Sequence, residues 1–217
     1  MTGSMPLATY AIIGVTVVLS VAGFGNARLF EKSLFSVRAV LRDREVHRLL
    51  TSQFFHAGWG HLLFNMISLY SFGTVVERHF GPLFTVALYF CGALCGDLAA
   101  LAIRRKDPEY AAVGASGAVC AVIFASIFLL PGGSIYVLPF PVPIPSWAYA
   151  LVFMAVSLYG IGSRTAMIGH EAHVGGALAG IAWAVAADPS IVARDWLLLA
   201  GLTVPVTALL AYYVRRA

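Results

Sequence analysis

Gly114-Ala115-Ser116-Gly117 opens an apolar run that continues through Val119, Val122, Ile123 and Phe124 to Leu130. As a helix, the 16 residues from Ala115 to Leu130 span roughly 24 Å at about 1.5 Å per residue, short of a hydrocarbon core of about 30 Å. The segment 111–114 must then dip into the bilayer ahead of it, where irregular backbone is tolerated only when protein or water surrounds it. Ser116 falls on the first turn of that helix, recessed but reachable.

Apolar stretches long enough to cross a bilayer recur on both sides of this run. They predict spans near 7–25, 57–76, 82–103, 115–130, 146–162, 170–187 and 196–214. The chain is 60% hydrophobic and 11% charged, where a soluble domain carries roughly 25% charged residues. Its mean hydropathy is +0.85. The expected fold class is therefore an all-α polytopic membrane protein. No internal repeat or soluble segment is visible, so 1–217 reads as a single membrane domain, with a core at about 7–187 and a further C-terminal helix at about 196–214. The run from Leu7 to Gly25 lacks a preceding basic region and a small-residue cleavage site, and reads as a retained first helix.

The formal net charge of +4 places loops against lipid headgroups. No basic stripe interleaved with aromatics is present, which argues against nucleic acid as a partner. Cys91, Cys95 and Cys120 lie inside apolar runs, with neither zinc spacing nor a paired framework, and read as small buried side chains. The first connection, about 26–55, alternates charged residues such as Arg28, Lys32, Arg38, Arg42 and Arg48 with Leu29, Phe30, Leu34, Phe35 and Val40. That pattern suits short helices lying in the interface. The second connection turns at Gly81-Pro82, and the third holds the solvated run Arg104 to Glu109. The fourth carries Pro139, Pro141, Pro143 and Pro145, a spacing that forbids helix and favours extended chain.

Three polar clusters stand at helix starts on one side of the membrane: His56 to Asn65, Gly114 to Gly117, and Ala172 to Gly176. Polar groups at such depth are costly and mark function. Ser116 has the setting of a nucleophile: Gly114 and Gly117 let the chain turn sharply and a substrate come close, and the helix N-terminus offers N–H groups to a developing oxyanion. His173, about one turn into the sixth span, is a neutral imidazole that can take the serine proton. Gly176 and Gly180 form a small-xxx-small face beyond it, for which the start of the fourth span is the natural partner. His61 and Asn65 share one face of the second span and can donate hydrogen bonds to an oxyanion. His56 braces the loop before that helix, and His170 has an interfacial structural role. Glu171 points to another face than His173. Asp97, in the third span, pairs with a loop arginine or water, although it could orient a polar group of the site. The economical arrangement is a Ser–His dyad.

Together, His56-x4-His61-x3-Asn65, Glu77-Arg78, Gly114-x-Ser116-Gly117 and Ala172-His173-x2-Gly176-x3-Gly180 resemble the rhomboid family of intramembrane serine proteases, over roughly 130 residues from Arg48 to about Gly180. The resemblance implies a rhomboid six-helix core with 196–214 as a seventh transmembrane helix. It implies Ser116 as nucleophile, His173 as general base, and Asn65, His61 and the Ser116 N–H as the oxyanion hole, steadied by His56. It further implies an endopeptidase that cleaves transmembrane helices near small residues through an acyl-enzyme, with no cofactor and no metal. Its partners would be transmembrane protein substrates and membrane lipids, and its location a bacterial inner (plasma) membrane. Two positions depart from the family pattern. His47-Arg48 stands where many members have Trp-Arg. Cys120 stands where many carry an aromatic residue that packs on the catalytic imidazole, so another side chain must fill that space.

Three other functions compete with this reading. An inactive rhomboid-like protein that binds membrane clients usually lacks the serine or the histidine, and both are present here. A haem or metal protein would use His56, His61, His170 and His173, but no pair has a recognised metalloenzyme spacing. A transporter would show paired intramembrane charges or repeat symmetry. For orientation two arguments oppose each other. Of the 14 Lys and Arg, only Arg78 and Arg194 fall on the side away from the site, so the positive-inside rule puts the catalytic face in the cytosol. The resemblance implies the opposite face, and that orientation is expected.

Overall fold

The computed structural model describes residues 5–136, 142–161 and 169–216. Pro139, Pro141 and Arg164 lie outside the described residues. In chain order the elements are α1 (Leu7–Phe24), α2 (Ala27–Ser33), β1 (Phe35–Ser36), α3 (Val37–Leu41), α4 (Arg48–Thr51), α5 (Trp59–Phe80), α6 (Pro82–Arg104), β2 (Ala111–Ala112), α7 (Ser116–Leu129), β3 (Ser134–Tyr136), β4 (Pro143–Pro145), α8 (Ser146–Ile161), α9 (His170–Ala187), α10 (Ile191–Arg194) and α11 (Trp196–Arg216). A single 3-10 turn, Ser52–Phe54, follows α4. The seven long helices stand on the seven predicted runs. Of these, α1, α6 and α11 are both long and apolar enough to cross a membrane, while α7 and α8 are shorter apolar helices. The chain is an all-α polytopic membrane protein.

Helix α7 forms the centre. Every residue from Gly117 to Phe128 is buried, so its apolarity serves protein contact on all sides. Its 14 residues reach roughly 21 Å. Helices α6 and α9 lie against it because small residues let the backbones approach. A Cβ on Gly176 would collide with the Gly117 carbonyl, and one on Gly180 with the Ala121 carbonyl. The small-xxx-small face of α9 thus packs on the start of α7, as its spacing predicts.

Both ends of the bundle are tied by long-range polar contacts. At one end the Glu77 carboxylate, buried near the end of α5, accepts hydrogen bonds from Ala8 N–H at 2.9 Å and from Thr9 N–H and Thr9 Oγ1–H, each at 2.7 Å. It therefore caps α1 across the bundle, at the end where a helix prefers negative charge. Arg194 donates to the Phe128 carbonyl at the end of α7, at 2.6 Å. At the opposite end Arg104, closing α6, donates to Glu171 at 2.7 Å and to the Ile161 carbonyl at 3.0 Å, joining α6, α8 and α9. Glu77→Ala removes three hydrogen bonds to a charged acceptor and is expected to cost roughly 2–4 kcal/mol. Glu77→Gln keeps one acceptor oxygen and should cost less. Thermal unfolding of the purified protein in detergent measures both, and equal losses would contradict the capping role.

The first connection does form short helices, α2 to α4, as its amphipathic pattern predicts. Arg48 anchors it, donating to the carbonyls of Glu31 at 2.8 Å and Leu34 at 2.9 Å. Beyond that expectation, β1 pairs antiparallel with β2, Phe35 opposite Ala112, so this loop holds the segment that leads into α7. The proline-rich stretch is extended where described: β4 pairs antiparallel with β3, Ile144 opposite Ile135. Helix α5 runs on to Phe80, so Glu77 and Arg78 lie within it rather than after it. The turn is made by Gly81 at φ +88°, with Pro82 on the first turn of α6. Cys120 is buried, as expected, whereas Cys91 and Cys95 are only partly buried.

Candidate active site

The starts of α5, α7 and α9 meet at one end of the bundle. Ser116 is the first residue of α7, and its Oγ lies 2.7 Å from Nε2 of His173 on the first turn of α9. Both residues are half-buried, so the pair is recessed and still accessible. At that distance a neutral imidazole can accept the hydroxyl proton as the oxygen attacks. The first N–H groups of α7 have no partner within their own helix.

Gly114 adopts φ +122°, and a Cβ there would fall 2.5 Å from Cε1 and 2.7 Å from Nε2 of His61. Glycine is needed twice over: the backbone is in the left-handed half of φ space, and the His61 ring occupies the space of a side chain. His61 thus lies over the turn that presents Ser116. Asn65, one helical turn on, is buried and donates through Nδ2 to the His61 carbonyl at 3.0 Å. That bond uses one of its two amide hydrogens.

His56 is fully buried. Its Nε2 accepts the Ala115 N–H at 3.3 Å, which requires the hydrogen on Nδ1, where it donates to Ser20 Oγ at 3.0 Å. The Ser20 hydroxyl in turn donates to the Phe54 carbonyl at 3.0 Å. This chain fixes the tautomer and ties α1, the loop before α5 and the start of α7 together. The His56 and His61 rings meet edge to face at 4.8 Å.

The space left by Cys120 is met from another helix. Phe153 of α8 lies tilted beside His173 with ring centroids 5.8 Å apart, and is itself packed on Phe124 and Tyr149. His170 meets the His173 ring edge-on at 5.8 Å and lies against Gly160 of α8, where no side chain would fit. It is buried and supports the packing of the imidazole, a structural role. Glu171 points away from His173, as its spacing implies, to Arg104 and to the Tyr110 hydroxyl, which donates to it at 3.0 Å. Burial and the Glu171 carboxylate both push the Tyr110 phenol up, so it remains a donor. Among the described residues Asp97 meets loop side chains other than an arginine: its Oδ2 accepts from Ser52 Oγ at 2.8 Å and Gln53 Nε2 at 3.2 Å. No sequence motif marks Phe153 or Ser52. Ser20 alone carries a readable signal, as part of the buried stripe Thr9, Thr16, Ser20 on an apolar helix.

A family model described as a rhomboid domain matches residues 43–189. The chain belongs to the rhomboid family. It is 37% identical over 159 residues to RHOMBOID-like protein 12, mitochondrial, of Arabidopsis thaliana, covering 66% of this chain and 47% of that protein. It is 30% identical over 179 residues to Rhomboid protein 1, mitochondrial, of Saccharomyces cerevisiae, covering 79% and 51%. With Rhomboid protease GluP of Bacillus subtilis it shares 28% identity over 143 residues, covering 65% and 26%. The chain thus spans about half the length or less of these curated relatives. The family includes proteins named as proteases and proteins named as inactive. The relatives named here come from mitochondria and from a bacterium, so they do not select the bacterial plasma membrane that the resemblance implied. An integral multi-pass membrane protein is what they support.

Proposed function

We propose that this rhomboid is an active intramembrane serine endopeptidase, acting as a single membrane domain on transmembrane segments of other proteins. The observation that carries the proposal is the 2.7 Å contact between Ser116 Oγ and His173 Nε2 at the mouth of a buried helix. Ser116 attacks the scissile carbonyl as His173 takes its proton. The tetrahedral oxyanion is held by the Ser116 N–H, by His61 and by the second amide hydrogen of Asn65. His173 then returns the proton to the leaving amine, and water releases the acyl-enzyme by the same path. His56 holds the Ala115 N–H and so the approach to Ser116, while Phe153 and His170 keep the imidazole in place.

An inactive client-binding member is the second reading, and the paired serine and histidine weigh against it. A fluorophosphonate probe separates the two: the full-length protein in detergent should be labelled on Ser116, and a protein that never labels is a binder. Losing one donor from an oxyanion hole typically costs about 10²–10³ in kcat in a soluble protease. The Asn65→Ala, His61→Ala double variant is expected to fall in that range, with its fold intact. Unchanged turnover of a transmembrane substrate would refute the oxyanion assignment. The compartment is open to a direct experiment, fractionation of the source cells. The bacterial plasma membrane is the expectation under test.

A further inference from the structure

Asp97 lies outside the reacting groups, yet its contacts lead to them. It is buried in α6, and its Oδ2 holds Ser52 Oγ at 2.8 Å and Gln53 Nε2 at 3.2 Å. The carbonyl of that same Ser52 accepts the Gly114 N–H at 3.1 Å. Gly114 is the left-handed residue two positions before Ser116, and the next N–H, of Ala115, is held by His56. The two peptide units that lead into α7 are therefore suspended from the loop before α5, and Asp97 fixes that loop to α6. Gly96, the preceding residue, is the point where α6 abuts both Gly117 and the Ala172 carbonyl; a Cβ there would lie 3.4 Å from Gly117 Cα and 2.8 Å from Ala172 O. Gly117 follows Ser116 in the chain and Ala172 precedes His173. Two successive residues of α6 thus locate the serine helix, the histidine helix and the loop that aims the serine.

We propose that Asp97 is a positioning residue for Ser116, acting through the Ser52 side chain and carbonyl on the Gly114 turn. This rests on the serine-protease reading above. A buried acceptor that fixes a loop rigidifies it only when its donors are satisfied. Removing it frees the Ser52 carbonyl to move, and with it the angle at which Ser116 meets His173. Misplacement by about 1 Å through a remote substitution can cost about 10²-fold in rate.

The test uses the full chain in detergent, with fluorophosphonate labelling of Ser116 and cleavage of a transmembrane substrate. Asp97→Leu is expected to slow labelling and kcat together, by about ten- to a hundredfold. KM and the final labelled fraction should stay at wild-type values, which a general loss of structure would not allow. Asp97→Asn keeps an oxygen that can accept both bonds and should stay within about threefold of wild type. Ser52→Ala should slow the reaction by about three- to tenfold, and add nothing to Asp97→Leu. Labelling of Asp97→Leu at the wild-type rate overturns the assignment. So does Asp97→Asn as impaired as Asp97→Leu, or a rise in KM at unchanged labelling. If Asp97→Leu does not fold, Ser52→Ala decides, and its labelling at the wild-type rate is the contrary result. Failure of the wild-type protein to label removes the protease reading itself, whereas a labelled wild type with an unslowed Asp97→Leu removes only this inference.

Discussion

Ser116→Ala and His173→Ala are each expected to bring cleavage of a transmembrane substrate to background, while the protein keeps its unfolding temperature. In a soluble serine protease, loss of either reacting group lowers kcat by a factor on the order of 10⁶, because nucleophile and base act as one unit. The two substitutions should therefore be non-additive, and the double variant no slower than either alone. Both side chains are half-buried at helix starts, and the hydrogen bond they share is a small part of the contact between α7 and α9, so the fold should survive its loss. The measurement is substrate cleavage beside fluorophosphonate labelling. Ser116→Ala must also lose the label, and a well-folded Ser116→Ala protein that still cleaves would place the nucleophile elsewhere.

Gly176→Val should damage stability and activity at once. A side chain at this position meets the Gly117 backbone, which cannot rotate away as a flexible side chain would. Overpacking a close-packed interior costs typically about 1–3 kcal/mol. Here the relief must come from separating α9 from α7, the two helices that carry His173 and Ser116. A displacement of about 1 Å is enough to cost about 10²-fold in rate. Gly14 of α1 is the control, since a Cβ there meets nothing within 4 Å. Gly14→Ala should leave unfolding temperature and labelling rate unchanged. If Gly176→Val also leaves both unchanged, the close approach of α7 and α9 is not what brings the pair together.

The seven helices are legible because each is a sustained apolar run. The Ser116–His173 pairing was legible for a different reason. Gly176 and Gly180 encode a close helix contact, and a close contact fixes what lies one turn away. What escaped were partners supplied by distant segments that carry no pattern of their own. Phe153 is one aromatic among several on α8, and only packing tells which one meets His173. The β1–β2 pair is two residues wide, too short for any alternation to show. Asp97 reads as a charge in an apolar helix, but its partners Ser52 and Gln53 sit in a loop whose path no periodicity describes. Glu77 stood out as part of a motif, whereas its capping of α1 depends on a contact 68 residues back along the chain.

The aromatic wall of His173 comes from α8, not from the helix that carries the serine. Cys120 and Phe124 follow Ser116 at helical spacing on α7, and Phe153 reaches the imidazole while packed on Tyr149 and Phe124. With a thiol at 120, the imidazole depends on position 153 for its ring contact. A ring introduced at 120 alone would contest occupied volume, and a small residue at 153 alone would leave the imidazole beside a void. Across descendants of this sequence an aromatic residue at 153 should persist for as long as 120 stays small.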